Sequence, residues 1–193
     1  MPQSYYERTL PHWQVEGKDL FVTWRLSGSL PAEVMKALRR SKTAGAGRRF
    51  REFDVELDKG LFGPDWLKDS RIAEVVVGGL SEMEGRGLWR LHAWVVMSNH
   101  VHVLFEPRAP LGSIMKAVKW RTAREANWLL GRVGKYFWQD ESFDRWVRNA
   151  GEFEKVRSYI ERNPVAAGLV ERPEDWPWSS AGERSVAGER GGV

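Results

Sequence analysis

The sequence of 193 residues contains no cysteine. This absence excludes disulfide scaffolds, thiolate zinc sites, iron–sulfur clusters and cysteine nucleophiles, so any metal ion must be held by nitrogen and oxygen ligands. The chain also lacks an apolar run long enough for a membrane span, and its first residues do not join a basic stretch to an apolar one. We therefore expect a cytoplasmic protein without a membrane partner.

The net charge is small, but the basic residues are unevenly distributed. The chain has 30 Lys and Arg against 26 Asp and Glu, a formal net charge of +4. Residues 39–51 and 108–124 each hold several basic residues and no acidic one, which favours a surface that contacts phosphate groups. The alternative is a solvated loop and the polar face of a helix. The candidate contacts are Arg39, Arg40, Arg48, Arg49, Lys116, Lys119, Arg121 and Arg124.

Hydrophobic periodicity predicts the order strand, helix, strand, strand, helix, strand, helix. The predicted strands are 20–26, 88–97, 100–105 and 143–147, and the predicted helices are 31–40, 65–83, 111–130 and 151–163. The Gly- and Arg-rich stretch up to Pro64 is predicted as a loop with a little helix around 53–57. We expect an α+β, ferredoxin-like two-layer sandwich with two long helices on one face of a small antiparallel sheet. One domain is predicted over 1–181, and a disordered tail over 182–193.

Two histidines stand one residue apart at the start of the second hairpin strand. At strand periodicity His100 and His102 point to the same face, about 7 Å apart, which is close enough for two imidazoles to bind one ion. The candidates for a third ligand are Glu106, His92 and Asn163. The alternative is one buried structural histidine and one exposed histidine.

The last predicted helix carries a tyrosine that can meet such an ion. Tyr159 and Asn163 are four residues apart and therefore share one helix face, beside the apolar face that would dock on the sheet. A metal ion beside a phenolate favours attack on a phosphate, because the ion stabilises charge on the leaving oxygen. The alternative is an interfacial aromatic residue followed by an ordinary helix-end asparagine.

Several longer segments carry a resemblance to a known family: SNHVHVLF (98–105), YIERN (159–163), NPVAAGLV (163–170) and WPWSSA (176–181). With FWQDESFDRWVRN (137–149), they resemble the REP-associated tyrosine transposases, relatives of the HUH single-tyrosine transposases of small insertion sequences. The resemblance covers nearly the whole chain to about Ala181. It also implies the ferredoxin-like fold and a bacterial protein associated with the nucleoid.

The resemblance implies a role for four residues. His100 and His102 match the HUH metal ligands, Asn163 matches the third ligand, and Tyr159 matches the nucleophile. The implied reaction cleaves and rejoins single-stranded DNA through a 5′-phosphotyrosine, with Mg²⁺ or Mn²⁺ and without ATP. The implied substrates are hairpins of repetitive extragenic palindromes, and the resemblance leaves open whether the protein is a monomer or a homodimer.

Two other functions remain open at this point. One is a catalytically silent regulator that binds DNA hairpins, and the other is a metal-dependent hydrolase that uses His100 and His102 with Glu106. Tyr136 is the next candidate nucleophile, whereas Tyr5 and Tyr6 lie near a terminus that is expected to be mobile. His12 and His92 are expected to be structural. Trp120 and Trp128 are expected in the core because of their helical spacing, although either could stack on an unpaired base.

Overall fold

The computed structural model describes residues 17–40, 46–60 and 62–182, together with the strand backbone of 4–7 and 11–14. The side chains of 37–40, 46–49 and 51 lie outside the described part. The strands are β1 (Ser4–Glu7), β2 (Pro11–Gln14), β3 (Leu20–Arg25), β4 (Trp89–Val96), β5 (His100–Pro107) and β6 (Phe143–Trp146). The α-helices are α1 (Ala32–Arg40), α2 (Ala46–Asp58), α3 (Ser70–Gly85), α4 (Leu111–Leu129) and α5 (Ala150–Ala166). Two 3₁₀ turns span Trp66–Lys68 and Pro173–Asp175.

The central sheet is four-stranded and antiparallel, in the order β4-β5-β3-β6. With the helices between β3 and β4 and between β5 and β6, this is the βαββαβ arrangement of the ferredoxin-like fold. The predicted α+β class is confirmed. A separate two-stranded sheet pairs β1 with β2, and the sequence patterns did not predict it.

The sheet is covered on both faces, and the two faces differ in content. Successive residues of β5 point to opposite sides, so Val101 and Val103 join the larger core under α3 and α4. Leu104 points to the other side, where Phe50 of α2 and Val156 of α5 complete a smaller core. The two long helices thus lie on one face as predicted, and the other face holds α5 and α2 beside the histidines.

Helix α2 replaces the loop predicted from the Gly- and Arg-rich composition. Phe50, Asp54 and Leu57 are buried at spacings of four and three residues, which is the pattern of one helix face. The glycines before it suggested a loop, but Gly47 falls only in the first turn of the helix. The correction matters because α2 brings a carboxylate to the histidines.

Helix α5 also runs further than predicted. Pro164 was expected to stop it after Asn163, but the helix continues to Ala166. The proline lacks one N–H, so the helix loses one backbone hydrogen bond near its C-terminal end. Asn163 is therefore held within a helical turn, with its backbone carbonyl accepting from Ala167.

Some expectations fall outside the described residues. These are the side chains of Tyr5, Tyr6 and His12 and the predicted tail from residue 183 onward. Within the described part of the chain, no helix has the length and apolar character needed to cross a membrane.

Candidate metal centre and nucleophile

His100 and His102 face each other in the interior of the smaller core. Both side chains are fully buried, and their Nε2 atoms are 3.0 Å apart. Nδ1 of His100 donates to Oδ1 of Asn99 at 2.6 Å, and the Asn99 amide group donates to the Leu57 carbonyl at 2.9 Å. Because a carbonyl oxygen only accepts, this chain of contacts places the His100 proton on Nδ1 and leaves the Nε2 lone pair pointing into the site.

His102 is oriented from the neighbouring strand. Its Nδ1 lies 2.7 Å from the hydroxyl of Thr23, which pairs with it across β3 and β5. With Nδ1 engaged, Nε2 is the ring atom that meets His100. The two imidazole rings are thus oriented by hydrogen bonds with Asn99 in the turn and with Thr23 on β3. Metal-binding histidines usually have such a second contact on the ring nitrogen that does not bind the metal.

The third group of the cluster is Asp54, which was not among the predicted ligands. Its Oδ1 lies 3.1 Å from Nε2 of His102 and 3.8 Å from Nε2 of His100. Among the described residues, Asp54, His100 and His102 form the one cluster of His, Asp or Glu able to hold a metal ion. The sequence feature that could have revealed this ligand is an acidic residue on the apolar face of a helix. Asp54 lies on that face of α2 and is only 3% exposed.

Two of the predicted third ligands lie elsewhere. Glu106 faces Arg90 on the adjacent strand, with 3.4 Å between Oε2 and Nε. His92 contacts Asp19 through Nε2 at 2.9 Å. Neither belongs to the histidine cluster, and the expected structural role of His92 agrees with its acidic partner.

Asn163 does reach the cluster, from α5. It is 2% exposed, and its Nδ2 donates to Oδ2 of Asp54 at 3.4 Å. Asp58, one turn after Asp54, places Oδ1 3.6 Å from Nε2 of His100. The buried Oδ1 atoms of Asp54, Asp58 and Asn163 have no hydrogen-bond partner among the described residues. Buried oxygens without partners are costly, and a divalent cation bound by two imidazoles and carboxylate or amide oxygens would satisfy them.

The protonation states also suit a cation. Burial and repulsion from His102 together lower the pKa of His100 to about 3, although attraction to Asp54 opposes the shift. Burial opposes ionisation of Asp54, but attraction to His102 and His100 and the Asn163 amide bring its pKa below the usual value. Burial and the charge of Asp54 raise the pKa of Asp58 to about 7. At neutral pH His100 is therefore neutral and Asp54 ionised, which are the forms that bind metals.

Tyr159 of α5 lies beside this cluster, half-buried against the smaller core. Its ring centroid is 5.7 Å from that of His102 and 6.0 Å from that of Phe50. It lines a groove of about 480 Å³ along α5, together with Asn163, Lys155 and Arg162. Tyr136, the second candidate nucleophile, is 78% exposed in the segment after α4. The predicted helix face thus brings a phenol to the histidine cluster, and two basic side chains line the groove beside that phenol.

The comparison with protein families gives one match. The model for the transposase IS200-like family matches residues 65–163, just over half of the chain. The chain belongs to the IS200-like transposase family. The matched span includes His100, His102, Tyr159 and Asn163 and begins after Asp54. No curated protein matches this transposase.

A solved structure shows the same fold as this transposase. It is described as a REP-associated tyrosine transposase bound to a REP hairpin. The two share 19% sequence identity and a TM-score of 0.60, over 95% of this chain and 86% of that chain. The resemblance drawn from the sequence motifs is confirmed.

The basic residues predicted to contact phosphate differ in whether the structure describes their side chains and in how exposed they are. Arg39 and Arg40 lie in α1 and Arg48 and Arg49 in α2, and their side chains are outside the described part. On α4, Lys116 and Arg124 are exposed. Of the predicted contacts on α4, these two side chains therefore face solvent.

The other two α4 cations have partners inside the molecule. Nζ of Lys119 donates to the carbonyls of Gln139 and Asp140 at 2.9 and 3.0 Å. Arg121 forms ion pairs with Glu82 and Glu125. Both side chains therefore stabilise the fold, and fewer cations of α4 are presented to a ligand than the sequence predicts.

Trp120 and Trp128 are on the surface and not in the core as expected. They are 62% and 70% exposed, and the Arg124 guanidinium lies 5.4 Å from the centre of the Trp120 ring. Periodicity places them on one helix face but does not say which face meets the sheet. The buried face of α4 carries Ile114, Val118 and Ala126 instead.

Proposed function

We propose that this transposase cleaves and rejoins single-stranded DNA next to hairpins through a 5′-phosphotyrosine on Tyr159. His100, His102 and Asp54 would hold a divalent cation, Mg²⁺ or Mn²⁺, with the amide oxygen of Asn163 adjacent. The observation that carries the proposal is the convergence of two buried Nε2 atoms and three buried oxygens without partners, beside the Tyr159 ring. Oxygen-rich sites with imidazole ligands suit Mg²⁺ and Mn²⁺.

The residues of the groove define the chemistry. When bound, the cation would polarise the phosphodiester and stabilise charge on the leaving oxygen. Lys155 and Arg162 line the same groove as Tyr159 and attract the phosphate. The Tyr159 hydroxyl loses its proton, its oxygen bonds to phosphorus, and the bond from phosphorus to the 3′ oxygen breaks. The 3′ oxygen leaves and takes up a proton.

The reverse reaction uses the same groups. The free 3′-hydroxyl attacks the phosphotyrosine, and Tyr159 leaves with a proton. One phosphoester bond is made for each one broken, so rejoining requires no ATP. Keeping the phosphoester bond in a covalent intermediate is the chemical reason for a tyrosine nucleophile in place of water.

Hairpin DNA is the proposed substrate because the solved structure with the same fold is described as bound to a REP hairpin. Arg39, Arg40, Arg48 and Arg49, with the exposed Lys116 and Arg124, are the proposed contacts to the DNA backbone. The exposed indoles of Trp120 and Trp128 offer surfaces for unpaired bases.

The other two functions have less support. A catalytically silent regulator has no need for Tyr159 beside the metal cluster or for buried oxygens without partners. A hydrolase built on Glu106 is disfavoured because that carboxylate pairs with Arg90. Both remain outcomes of the experiment below.

The test is formation of a covalent protein–DNA adduct. A labelled hairpin with single-stranded flanks, taken from palindromes next to the gene, is incubated with Mn²⁺ and run on a denaturing gel. We expect a shifted band with the wild type and with the Tyr136→Phe control, and no band with Tyr159→Phe or with EDTA.

Three results would contradict the proposal. A shifted band with Tyr159→Phe would refute the assignment of the nucleophile. Binding without any adduct would support the silent regulator. Cleaved fragments without an adduct would support hydrolysis.

A further inference from the structure

The segment WPWSSA (176–181) covers an edge of the central sheet. Strand β4 is the terminal strand in the order β4-β5-β3-β6, so its outer edge needs another cover. Residues 176–181, called the strap below, run antiparallel to β4. The Val96 N–H donates to the Trp178 carbonyl at 2.8 Å, and the Trp176 indole donates to the Val96 carbonyl at 3.0 Å. The strap is therefore fixed to the sheet by both backbone and side-chain hydrogen bonds.

The strap also contacts α5, the helix that carries Tyr159. Ser180 is 7% exposed, and its hydroxyl accepts a hydrogen bond from the Trp94 N–H of β4 at 3.1 Å. The same hydroxyl donates to Oε1 of Glu161 at 3.4 Å. Glu161 lies two residues after Tyr159 on α5. One buried hydroxyl thus joins the sheet edge to the helix, close to the proposed nucleophile.

Trp176 adds an apolar contact between the strap and the same face of the sheet. Its ring packs against the smaller core, against which Tyr159 and Ala167 also pack. The 3₁₀ turn Pro173–Asp175 leads directly into the strap after the end of α5. Because protein cores are close-packed, a displacement of Trp176 is transmitted to the other side chains of this core.

The first turn of α5 is held by a separate set of contacts. The Asn149 side chain accepts from the Glu152 N–H at 2.9 Å, and the Glu152 carboxylate accepts from the Arg148 N–H at 2.9 Å. Arg145 of β6 forms an ion pair with Glu152. These contacts fix the start of α5 to β6, which is the opposite edge of the sheet from β4. Tyr159 lies between this anchor and the strap, so its position depends on both.

We propose that the strap is a positioning element, in which Ser180 and Trp176 hold α5 at the tilt that places Tyr159 beside the histidine cluster. The inference rests on the proposed function, because it concerns how the nucleophile of that reaction is held. Neither residue contacts the reacting atoms, so both act through α5. Reacting atoms must approach to about 3–3.5 Å, and a displacement of ~1 Å can cost about 100-fold in rate. Loss of the strap contact should therefore slow the reaction without removing any group of the site.

The first experiment separates reaction rate from DNA binding. Adduct formation is followed in a single turnover with Mn²⁺ and saturating hairpin, and hairpin affinity is measured by fluorescence anisotropy in the Tyr159→Phe background. We expect Ser180→Ala to slow adduct formation by about tenfold or more and to leave the affinity unchanged. Trp176→Phe, which lacks the indole donor, should act in the same direction. Ser180→Thr keeps the hydroxyl and should restore the rate.

Two further variants separate the helix contact from general stability. Glu161→Ala removes the partner on α5 and leaves the Trp94 bond in place, so Ser180→Ala should add little in that background. Gly79→Ala is the control for stability, because a Cβ there would lie 2.4 Å from Cγ2 of Thr122, on the sheet face opposite to α5. It should lower the urea midpoint and leave the rate at saturating hairpin unchanged.

The second experiment observes Tyr159 without any reaction. The chain has four tyrosines, so protein labelled with 3-fluorotyrosine gives four fluorine signals, and Tyr159→Phe assigns the relevant one. The Tyr159 ring centroid lies 6.0 Å from that of Phe50 and 5.7 Å from that of His102, so ring currents make its signal sensitive to small displacements. Ser180→Ala should shift or broaden this signal and leave that of Tyr136 unchanged. If Ser180→Ala fails to fold, Glu161→Ala is read in the same way.

The outcomes are distinct from those of the test of cleavage. An unchanged Tyr159 signal in Ser180→Ala, an unchanged adduct rate, or an equal loss of rate in Gly79→Ala would overturn the positioning role. If the wild type forms no adduct, the proposed function fails and the fluorine signal alone decides on the strap. A shifted signal then supports the strap, and an unchanged signal overturns it.

Discussion

At the scale of single residues, the site is marked by buried polar atoms that have no hydrogen-bond partner in the part of the chain that the structure describes. The buried Oδ1 atoms of Asp54, Asp58 and Asn163 have no hydrogen-bond partner among the described residues. A buried oxygen without any hydrogen-bond partner costs roughly 1–3 kcal/mol. The fold carries this cost next to two imidazoles, which is explained if a cation binds there.

Asp54→Asn tests the ligand that the sequence did not reveal. The change removes one negative charge and one strong oxygen donor while keeping the shape of the side chain. We expect affinity for Mn²⁺, measured by isothermal titration or electron paramagnetic resonance, to fall by about 10–100-fold or more.

Glu106→Gln is the matched control for this variant. Glu106 is a carboxylate on the same strand as the histidines, but it faces Arg90, so Mn²⁺ affinity should not change. Unchanged affinity in Asp54→Asn, or an equal loss in Glu106→Gln, would remove Asp54 from the metal centre.

Residues close in sequence were the ones that could be predicted. His100 and His102 share a strand face, and Tyr159 and Asn163 share a helix face, so local periodicity already brings each pair together. Their proposed roles stay predictions until tested. Asp54 joins them only through the packing of α2 against the sheet, and no local spacing reveals that contact.

At the scale of elements, α3 and α4 approach closely at one glycine. A Cβ on Gly79 would lie 2.4 Å from Cγ2 of Thr122. Thr122 cannot turn away, because its hydroxyl donates to the Val118 carbonyl and accepts from Trp138 Nε1. The two helices under the sheet are therefore set at a distance that permits only glycine here.

Gly79→Ala should destabilise the fold by about 1–3 kcal/mol because the helices must separate or Thr122 must break its hydrogen bonds. Gly78→Ala is the control on the same helix, since nothing lies within 4 Å of a Cβ there. It should stabilise the fold by roughly 0.5–1 kcal/mol through helix propensity. Urea unfolding of both variants measures the difference, and equal effects would contradict the close approach.

Local signals predicted most elements and failed where composition was misleading. The alternation in β3, β4 and β5 and the spacing in α3 and α4 are strong because each packs against the core. Helix α2 was missed because its glycines and arginines suggested a loop, although Phe50 and Leu57 mark its buried face. The orientation of α4 was also missed, since spacing alone cannot tell that Trp120 points outward.

At the scale of the whole molecule, stability should depend on pH through Lys119. Burial lowers its pKa to about 8, although the charge of Asp140 opposes the shift. Between pH ~8 and the ordinary lysine value, the unfolded chain holds a proton that the folded chain has lost, so the free energy of unfolding rises with pH. The contribution of neutral Lys119 to the free energy of unfolding is fully present above the pKa that this lysine has in the unfolded chain. It is lost as pH falls through the pKa of Lys119 in the folded protein.

The comparison of wild type with Lys119→Met isolates this effect. We expect the difference in unfolding free energy, from urea titrations, to shift in favour of the wild type as pH increases from ~8 to ~10, by up to about 1 kcal/mol per pH unit. Parallel pH curves for the two proteins would show that Lys119 keeps an ordinary pKa in the folded state.

We propose that the whole fold serves to bring a divalent cation and Tyr159 to one phosphodiester. The most direct measurement is peptide mapping by mass spectrometry after reaction of wild-type protein with Mn²⁺ and a hairpin carrying single-stranded flanks. We predict a nucleotide linked through its 5′-phosphate to Tyr159, with a free 3′-hydroxyl on the released strand. A linkage to Tyr136 or to any other residue, or cleavage that leaves no linked peptide, would show that Tyr159 is not the nucleophile.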